Sequence, residues 1–194
     1  MLEMAIVVCL TVMTTGILFM TLTPALRTVR ATNAFNATLA TLRRAHDQAV
    51  AQKGILLVTF TAPRTITVVQ NTTAACGANS VATTTWFRSL TTTLPTDMSF
   101  AASGLPNPGP DNFGSGGTAI DFDQGISSGG KTLYFCPDGS VRDANNNINN
   151  GVVYMQHSSG DVYASRAITV WGATGRLRAW RLDKGPSGNY WRRQ

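Results

Sequence analysis

The residues that could support catalysis or bind a metal are few, and they lie far apart in the sequence. The chain has two histidines, His46 and His157, and three cysteines in 194 residues. Residues 157–161 contain the residue types of a hydrolase triad, but side chains that follow one another along a strand and a turn do not converge on one point. No cluster with the spacing of a metal site is present in the sequence. We therefore predict a protein that is not an enzyme and uses no metal or cofactor.

Another segment, residues 143–151, supplies oxygen atoms at alternate positions, as the start of a calcium-binding loop does. It contains Asp143 and five asparagines, but it lacks the central glycine and the distal glutamate that complete such a loop. We predict a surface loop here, and a second one at residues 106–117, which are rich in proline and glycine. Loops of this kind tolerate variation and face solvent.

Basic and aromatic side chains are concentrated at the C-terminal end. Residues 166–194 contain seven basic side chains and one acid, so they account for the whole formal net charge of +6. Trp171, Trp180 and Trp191 lie in the same segment. Cations that meet phosphates and flat rings that stack on bases are what a sequence-tolerant nucleic-acid binder needs. The candidate nucleic-acid-binding residues are Arg176, Arg178, Arg181, Lys184, Arg192 and Arg193.

A structural interpretation of the same basic residues stays open. Arg176 and Arg178 alternate with Leu177 and Ala179, as expected of a strand with one solvated and one buried face. A cationic edge also prevents unwanted strand pairing, and it can meet an acidic neighbour in an assembly. DNA binding is therefore an alternative function for this segment.

The chain that carries these residues begins with a long apolar run. Met4–Leu26 contains 23 uncharged and mostly apolar residues, and the one ionised side chain ahead of it is that of Glu3. A helix of this length measures about 35 Å, enough to cross a hydrocarbon core of about 30 Å. A cleavable secretion signal has a cationic start and a shorter apolar core. We therefore predict a membrane-spanning helix over residues 4–26.

The helix is predicted to continue beyond this span. Residues 27–53 contain no glycine or proline, and apolar residues recur at spacings of three and four, which indicates an amphipathic helix. The recurring positions are Leu26, Val29, Leu39, Leu42, Ala45 and Ala49. We expect Pro24 to kink the helix or end a first segment, and Gly54 to form its C-terminal cap.

The remaining residues, 55–194, suffice for one domain with a core of its own. Their apolar residues come in short alternating runs that are typical of strands. The predicted strands are 55–62, 65–72, 86–94, 98–102, 118–123, 131–137, 152–157, 162–171 and 176–182. The predicted fold class is α+β, with a long N-terminal α-helix, residues 1–54, followed by an antiparallel β-sheet or sandwich domain.

Cysteine usage favours an exported domain. Cys9 lies in the predicted span, where it serves as a small apolar residue. Cys76 and Cys136 then remain as a natural disulfide pair, which would form in an oxidising compartment. The alternative, two unpaired thiols, stays open from the sequence.

The order of an acid, an apolar half-helix, an amphipathic half-helix and a Gly/Thr-rich domain resembles that of type IV pilins and of the pseudopilins of type II secretion. The segment Leu2–Val8 is similar to their N-terminal motif, because an acid precedes an uninterrupted apolar run. The resemblance implies a bacterial chain that one helix holds in the inner membrane before it polymerises with its own copies or with other pilins. It also implies a prepilin peptidase, N-terminal methylation and a dedicated assembly machinery.

The resemblance assigns the register of assembly to Glu3. The apolar helices would pack into a central bundle, where Glu3 would pair with the N-terminal ammonium group of a neighbouring subunit. A carboxylate inside an apolar bundle is costly unless it meets a cation, and only a neighbour in the correct register supplies one.

Family members carry a short basic leader, cut after a glycine, and two more residues ahead of this motif. Arg27 and Arg30 follow the predicted span, and by the positive-inside rule they alone would place the domain in the cytoplasm. A basic leader would restore the opposite orientation, so we expect one in the natural precursor.

Motifs in the second half are similar to those of the FimT/GspH branch of minor pilins. They are Leu133–Ser140, which reads LYFCPDGS, and Thr174–Arg178, which reads TGRLR, with residues 151–154 and 167–170 between them. Some FimT-like pilins are DNA receptors in natural transformation, and the resemblance would place that role on Arg176 and Arg178. We predict a structural subunit of a type IV pilus or type II pseudopilus, in an extracellular or periplasmic filament, with a DNA-binding minor pilin as the alternative.

Overall fold

The computed structural model describes residues 2–71, 76, 86–114, 117–122, 130–186 and 188–194, without the side chains of residues 2, 6 and 16–24. One helix, α1, occupies Leu2–Ala51. The strands of the described part are β1 Ile55–Thr61, β2 Thr65–Asn71, β3 Leu90–Thr93, β4 Met98–Phe100, β5 Ile120–Asp121, β6 Thr132–Phe135, β7 Val141–Arg142, β8 Gly151–His157, β9 Arg166–Trp171, β10 Arg176–Gly185 and β11 Gly188–Arg193.

These strands form two antiparallel sheets. The first has the order β3-β2-β1-β6-β7, and the second has the order β11-β10-β9-β8-β4, with β5 also paired to β8. Hairpins join β1 to β2, β9 to β10 and β10 to β11, so neighbours in sequence are often neighbours in the sheet. The predicted α+β class with antiparallel sheets is confirmed.

The second half of α1 packs between the sheets and completes their core. Its buried side chains recur every three or four residues, as the amphipathic pattern predicts. They are Ala31, Ala34, Phe35, Thr38, Leu39, Thr41, Leu42, Ala45 and Ala49. The same core contains Phe60 of the first sheet and Ile168 of the second. The predicted apolar face is wrong at Leu26 and Val29, which are about half exposed. Burial of this face begins only at Ala31, where the helix enters the domain.

The C-terminal end of α1 differs from the predicted glycine cap. Lys53, with a φ of 50°, takes the left-handed conformation, while the Gly54 N–H donates to the Ala49 carbonyl and the Lys53 N–H to that of Val50. These two bonds form a Schellman motif, which satisfies the last carbonyls of the helix. Gly54 is needed for a different reason: a Cβ there would lie 2.2 Å from the Trp86 ring. The predicted kink at Pro24 falls among the residues whose side chains are not described.

Two of the predicted strands begin four residues later than predicted. Residues 162–164 form a 3₁₀ turn because the Asp161 carboxylate accepts from the Tyr163 N–H, and β9 begins only at Arg166. The strand predicted from Trp86 begins at Leu90. The Trp86 and Phe87 backbone N–H groups donate to the Gln70 side-chain oxygen, so they are not paired with a neighbouring strand. The sequence also missed β7 and β11. Asp123, the predicted end of another strand, lies outside the described residues.

Candidate assembly helix and cationic sheet edge

The first half of α1 projects from the domain and exposes apolar side chains. We call Glu3–Thr15 the projecting segment of α1. Its described large apolar side chains are well exposed, and the lowest value among them is 58%. They are Met4, Val7, Val8, Leu10, Val12 and Met13. No described element covers this segment, so its apolar surface is available to another surface.

The threonines of the projecting segment are compatible with an apolar environment. Thr11 donates its hydroxyl to the Val8 carbonyl at 2.9 Å, and Thr14 donates to the Leu10 carbonyl at 2.9 Å. Thr15 likewise bonds back to the Thr11 carbonyl. A hydroxyl that is satisfied within its own helix costs little when the helix surface loses water.

A membrane span over residues 4–26 stays a prediction. Among the residues that the structure describes, no helix is both long and apolar enough to cross a membrane. Residues 16–24 of the predicted span lie outside the described side chains.

Two polar contacts fix α1 where it enters the domain. Arg30 pairs with Asp97 at 2.6 Å, and His157 Nε2 lies 3.4 Å from the same carboxylate. The hydrogen bond from Arg30 lowers the pKa of Asp97 below its usual value. Next to this contact, the guanidinium of Arg166 is 2% exposed and lies 3.4 Å from the Thr32 hydroxyl. Burial lowers the pKa of Arg166, which still remains protonated at neutral pH.

The predicted disulfide is present in the structure. Cys76 and Cys136 are bonded across 60 positions of sequence, with a Cα–Cα distance of 5.7 Å. Cys136 is buried directly after β6, so the bond ties Cys76 to the first sheet. Cys9 is exposed on the projecting segment and is the one cysteine outside this bond.

The candidate nucleic-acid-binding residues all lie on β10 and β11, at one edge of the second sheet. Asp183 on β10 pairs with Arg181 at 2.8 Å and with Arg192 at 2.7 Å. Within the described residues, Arg176, Lys184 and Arg193 have no ion-pair partner. The hairpin thus brings the predicted cations together, but it neutralises part of their charge internally. A role in DNA binding stays a prediction.

Asp111, which no sequence pattern singles out, holds the proline-rich loop to the second sheet. It lies in the proline-rich loop with a φ of 58° and accepts from three side chains of the second sheet: Arg178 Nη1 at 2.5 Å, the Thr169 hydroxyl at 2.6 Å and Trp171 Nε1 at 3.0 Å. Arg178 also lies over the Trp171 ring, 4.9 Å from its centroid. Arg178 and Asp111 are 67 positions apart, so no local pattern signals the pair.

Replacing Asp111 by asparagine is expected to lower the free energy of unfolding by about 1.5–3 kcal/mol, the range for hydrogen bonds to charged groups. Asparagine tolerates the same left-handed backbone, so the change removes mainly the charge. Urea unfolding of the full chain in mild detergent, followed by tryptophan fluorescence, measures the effect.

The matched control is Asp47→Asn, because the Asp47 side chain is 77% exposed. Its effect is expected to stay within about 0.5 kcal/mol. Equal unfolding midpoints for the two variants would show that Asp111 does not hold the loop to the sheet.

The residues considered first for chemistry form no site in the described part of the chain. His46 contacts the Gly139 carbonyl at 3.2 Å, and His157 is held by Ser159 and Asp97, so the two histidines belong to different contacts. The Asp143 carboxylate accepts from the Asn145 and Asn147 backbone N–H groups, which closes the asparagine-rich loop on itself. Among the described residues, no group of three or more metal-ligating side chains comes together.

No protein-family model and no curated protein sequence matches this chain. Among solved structures, the chain is similar to the minor pseudopilin EpsH from the type 2 secretion system of Vibrio cholerae, with 14% identity, a TM-score of 0.34, and coverage of 85% of this chain and 96% of that chain. A similarity with a TM-score this low carries no functional argument.

Proposed function

We propose that this chain is a structural subunit of a type IV pilus or a type II secretion pseudopilus, and that it polymerises through α1. The observation that carries the proposal is the division of one helix into two parts. From Ala31 onward the helix is buried in the domain, whereas the projecting segment exposes an apolar surface. A rigid helix of this kind can transfer from lipid to a bundle of identical helices without refolding the domain.

The exposed apolar surface needs a partner. Contiguous exposed apolar patches on soluble proteins mark sites of protein or membrane interaction. The proposal gives the projecting segment two successive partners, the lipid of the bacterial inner membrane and then the same segment of neighbouring subunits. The disulfide supports a domain that lies outside the cytoplasm, in a periplasmic or extracellular filament.

Within this class, the motifs at Leu133–Ser140 and Thr174–Arg178 favour a minor subunit of the FimT/GspH branch. The first motif covers the end of β6 and the turn after it, and the second covers the hairpin between β9 and β10. Both are tightly structured: a Cβ at Gly175 would lie 2.2 Å from the Gly139 carbonyl oxygen. The two motifs therefore meet in space at one end of the domain.

Replacing Glu3 by alanine is expected to leave the chain in the membrane but to lower its assembly at least about tenfold, which corresponds to about 1.4 kcal/mol per subunit contact. Glu3 is exposed at the start of α1, and in an apolar bundle its carboxylate requires a cation from a neighbour. Cys9 provides the measurement, because a bismaleimide can join the exposed Cys9 thiols of neighbouring copies in intact cells.

Two variants control this experiment. Cys9→Ser should give no cross-linked dimer, and Asp47→Ala, which removes an exposed acid from the part of α1 within the domain, should give the parental yield. Membrane fractionation shows whether Glu3→Ala is still inserted. An unchanged dimer yield for Glu3→Ala would remove the role of Glu3, and a parental chain that never cross-links would overturn polymerisation through α1.

A further inference from the structure

A cleft of about 430 Å³ lies between the proline-rich loop, residues 106–112, and strands β10 and β11. It opens on the face of the second sheet that points away from α1. Successive side chains of a strand point to opposite faces: Val153 and Met155 of β8 belong to the core with α1, whereas Val152 and Tyr154 belong to a separate cluster under the loop. The volume lies within the range of about 300–1,000 Å³ that is typical of small-molecule sites.

Two aromatic rings line this cleft. Trp180 and Trp191 lie on its face of the sheet and pack against the cluster under the loop, whereas Tyr190, paired with Asp183, directs its ring to the opposite face. The rings are held in place by contacts outside the cleft: Trp180 Nε1 donates to the Thr169 hydroxyl at 3.0 Å, and the Trp191 ring lies 5.7 Å from that of Tyr154. The cleft therefore offers flat apolar surfaces in fixed positions.

The polar groups of the cleft are neutral. Asn107, Asn112 and Asn189 line it, and a side-chain amide has both donors and an acceptor. The Asn189 oxygen already accepts from the Tyr163 hydroxyl at 3.2 Å, so Asn189 offers its donors. The one ionised side chain in the lining is that of Asp111, whose carboxylate is already neutralised by Arg178 and bonded to two further donors. No Lys or Arg side chain is among the described residues that line the cleft.

We propose that this cleft binds a neutral carbohydrate. The C–H faces of a pyranose ring stack on aromatic side chains, and its hydroxyl groups exchange hydrogen bonds with amides that both donate and accept. An anionic ligand, such as a nucleic-acid strand, would need open cations that the cleft lining does not provide. The three prolines of the loop and the bonds of Asp111 fix the cleft before a ligand arrives, which lowers the entropic cost of binding.

The carbohydrate site and the assembly helix are separate. The cleft lies on the sheet face opposite the core shared with α1, so packing of the projecting segments leaves it open. Binding does not depend on polymerisation, and the two proposals can fail independently.

The test uses the full chain in a non-glycosidic detergent, with cellotriose and triacetylchitotriose as probes. Titration calorimetry and tryptophan fluorescence should show saturable binding whose affinity does not change between low and high salt. Trp191→Leu and Asn107→Ala should each weaken it, Trp191→Leu by about tenfold through the loss of one stacked ring. Trp191 lies on the edge strand β11, and leucine keeps an apolar side chain against the cluster under the loop.

The matched control is Tyr134→Ala on β6 of the first sheet, which should bind with the parental affinity. Circular dichroism verifies that each variant is folded. Absence of binding to both sugars by the folded chain would overturn the proposal, as would binding that Trp191→Leu and Asn107→Ala leave unchanged. Salt-sensitive binding of an oligothymidylate that needs the same two residues, and that exceeds the sugar affinity, would reassign the cleft to nucleic acid.

Discussion

Replacing Leu42 by alanine is expected to lower the free energy of unfolding by about 2–5 kcal/mol, the range for large-to-small changes in a closed core. Leu42 is completely buried in the cluster that α1 shares with both sheets. The substitution removes apolar contacts and leaves a cavity that a rigid helix between two sheets cannot close. Urea unfolding of the full chain in mild detergent, followed by tryptophan fluorescence, measures the change.

The chain offers a matched control on the same helix. Leu10 lies in the projecting segment and is 58% exposed, so Leu10→Ala should shift the free energy of unfolding by less than about 0.5 kcal/mol. Equal effects of the two substitutions would contradict the division of α1 into a buried half and a projecting half. Because the proposed function depends on that division, this pair of variants also tests its structural basis.

Removal of the disulfide is expected to lower the free energy of unfolding by about 2–4 kcal/mol, because the unfolded chain gains the freedom of a long open loop. The bond joins Cys76 to Cys136 over 60 positions. The double variant Cys76→Ala with Cys136→Ala should therefore unfold at lower urea concentration than the parental chain. Reduction of the parental chain should reproduce most of this loss.

Cys9→Ala is the control for the disulfide variant, since Cys9 is exposed and takes no part in the bond. It should unfold at the same urea concentration as the parental chain, both with and without reductant. If the double variant keeps the parental stability, the bond does not constrain the domain, and its support for an oxidising location is lost.

Local patterns account for the parts of the fold that the sequence analysis predicted correctly. The spacing of Leu39, Leu42, Ala45 and Ala49 predicts the buried helix face because a helix brings every third or fourth residue to one side. Alternation in β1 and β2 predicts two strands for a similar reason. The helix ends close to the predicted residue, but Lys53 rather than Gly54 takes the left-handed conformation. Gly54 leaves room for the Trp86 ring, which a Cβ would contact.

The candidate site was predicted less completely. The basic residues cluster near the C-terminus in the sequence, and in the structure they lie on one sheet edge. The sequence of that segment does not indicate that Asp183 pairs with Arg181 and Arg192. The strand β11 was missed because its alternation is weak: Tyr190 and Trp191 are adjacent, and Arg192 and Arg193 follow. Its pairing with β10 forms the wall of the cleft.

The sequence by itself determined the order of the two helix halves, the antiparallel α+β class and which two cysteines could pair, because each of these depends on short-range periodicity or on a small number of cysteines. The tertiary structure alone decided where the helix leaves the domain, between Val29 and Ala31, and which residues surround the cleft. It also brought Asp111 to Arg178 across 67 positions. Such contacts depend on how the sheets and the proline-rich loop pack, and that packing is a property of the whole chain.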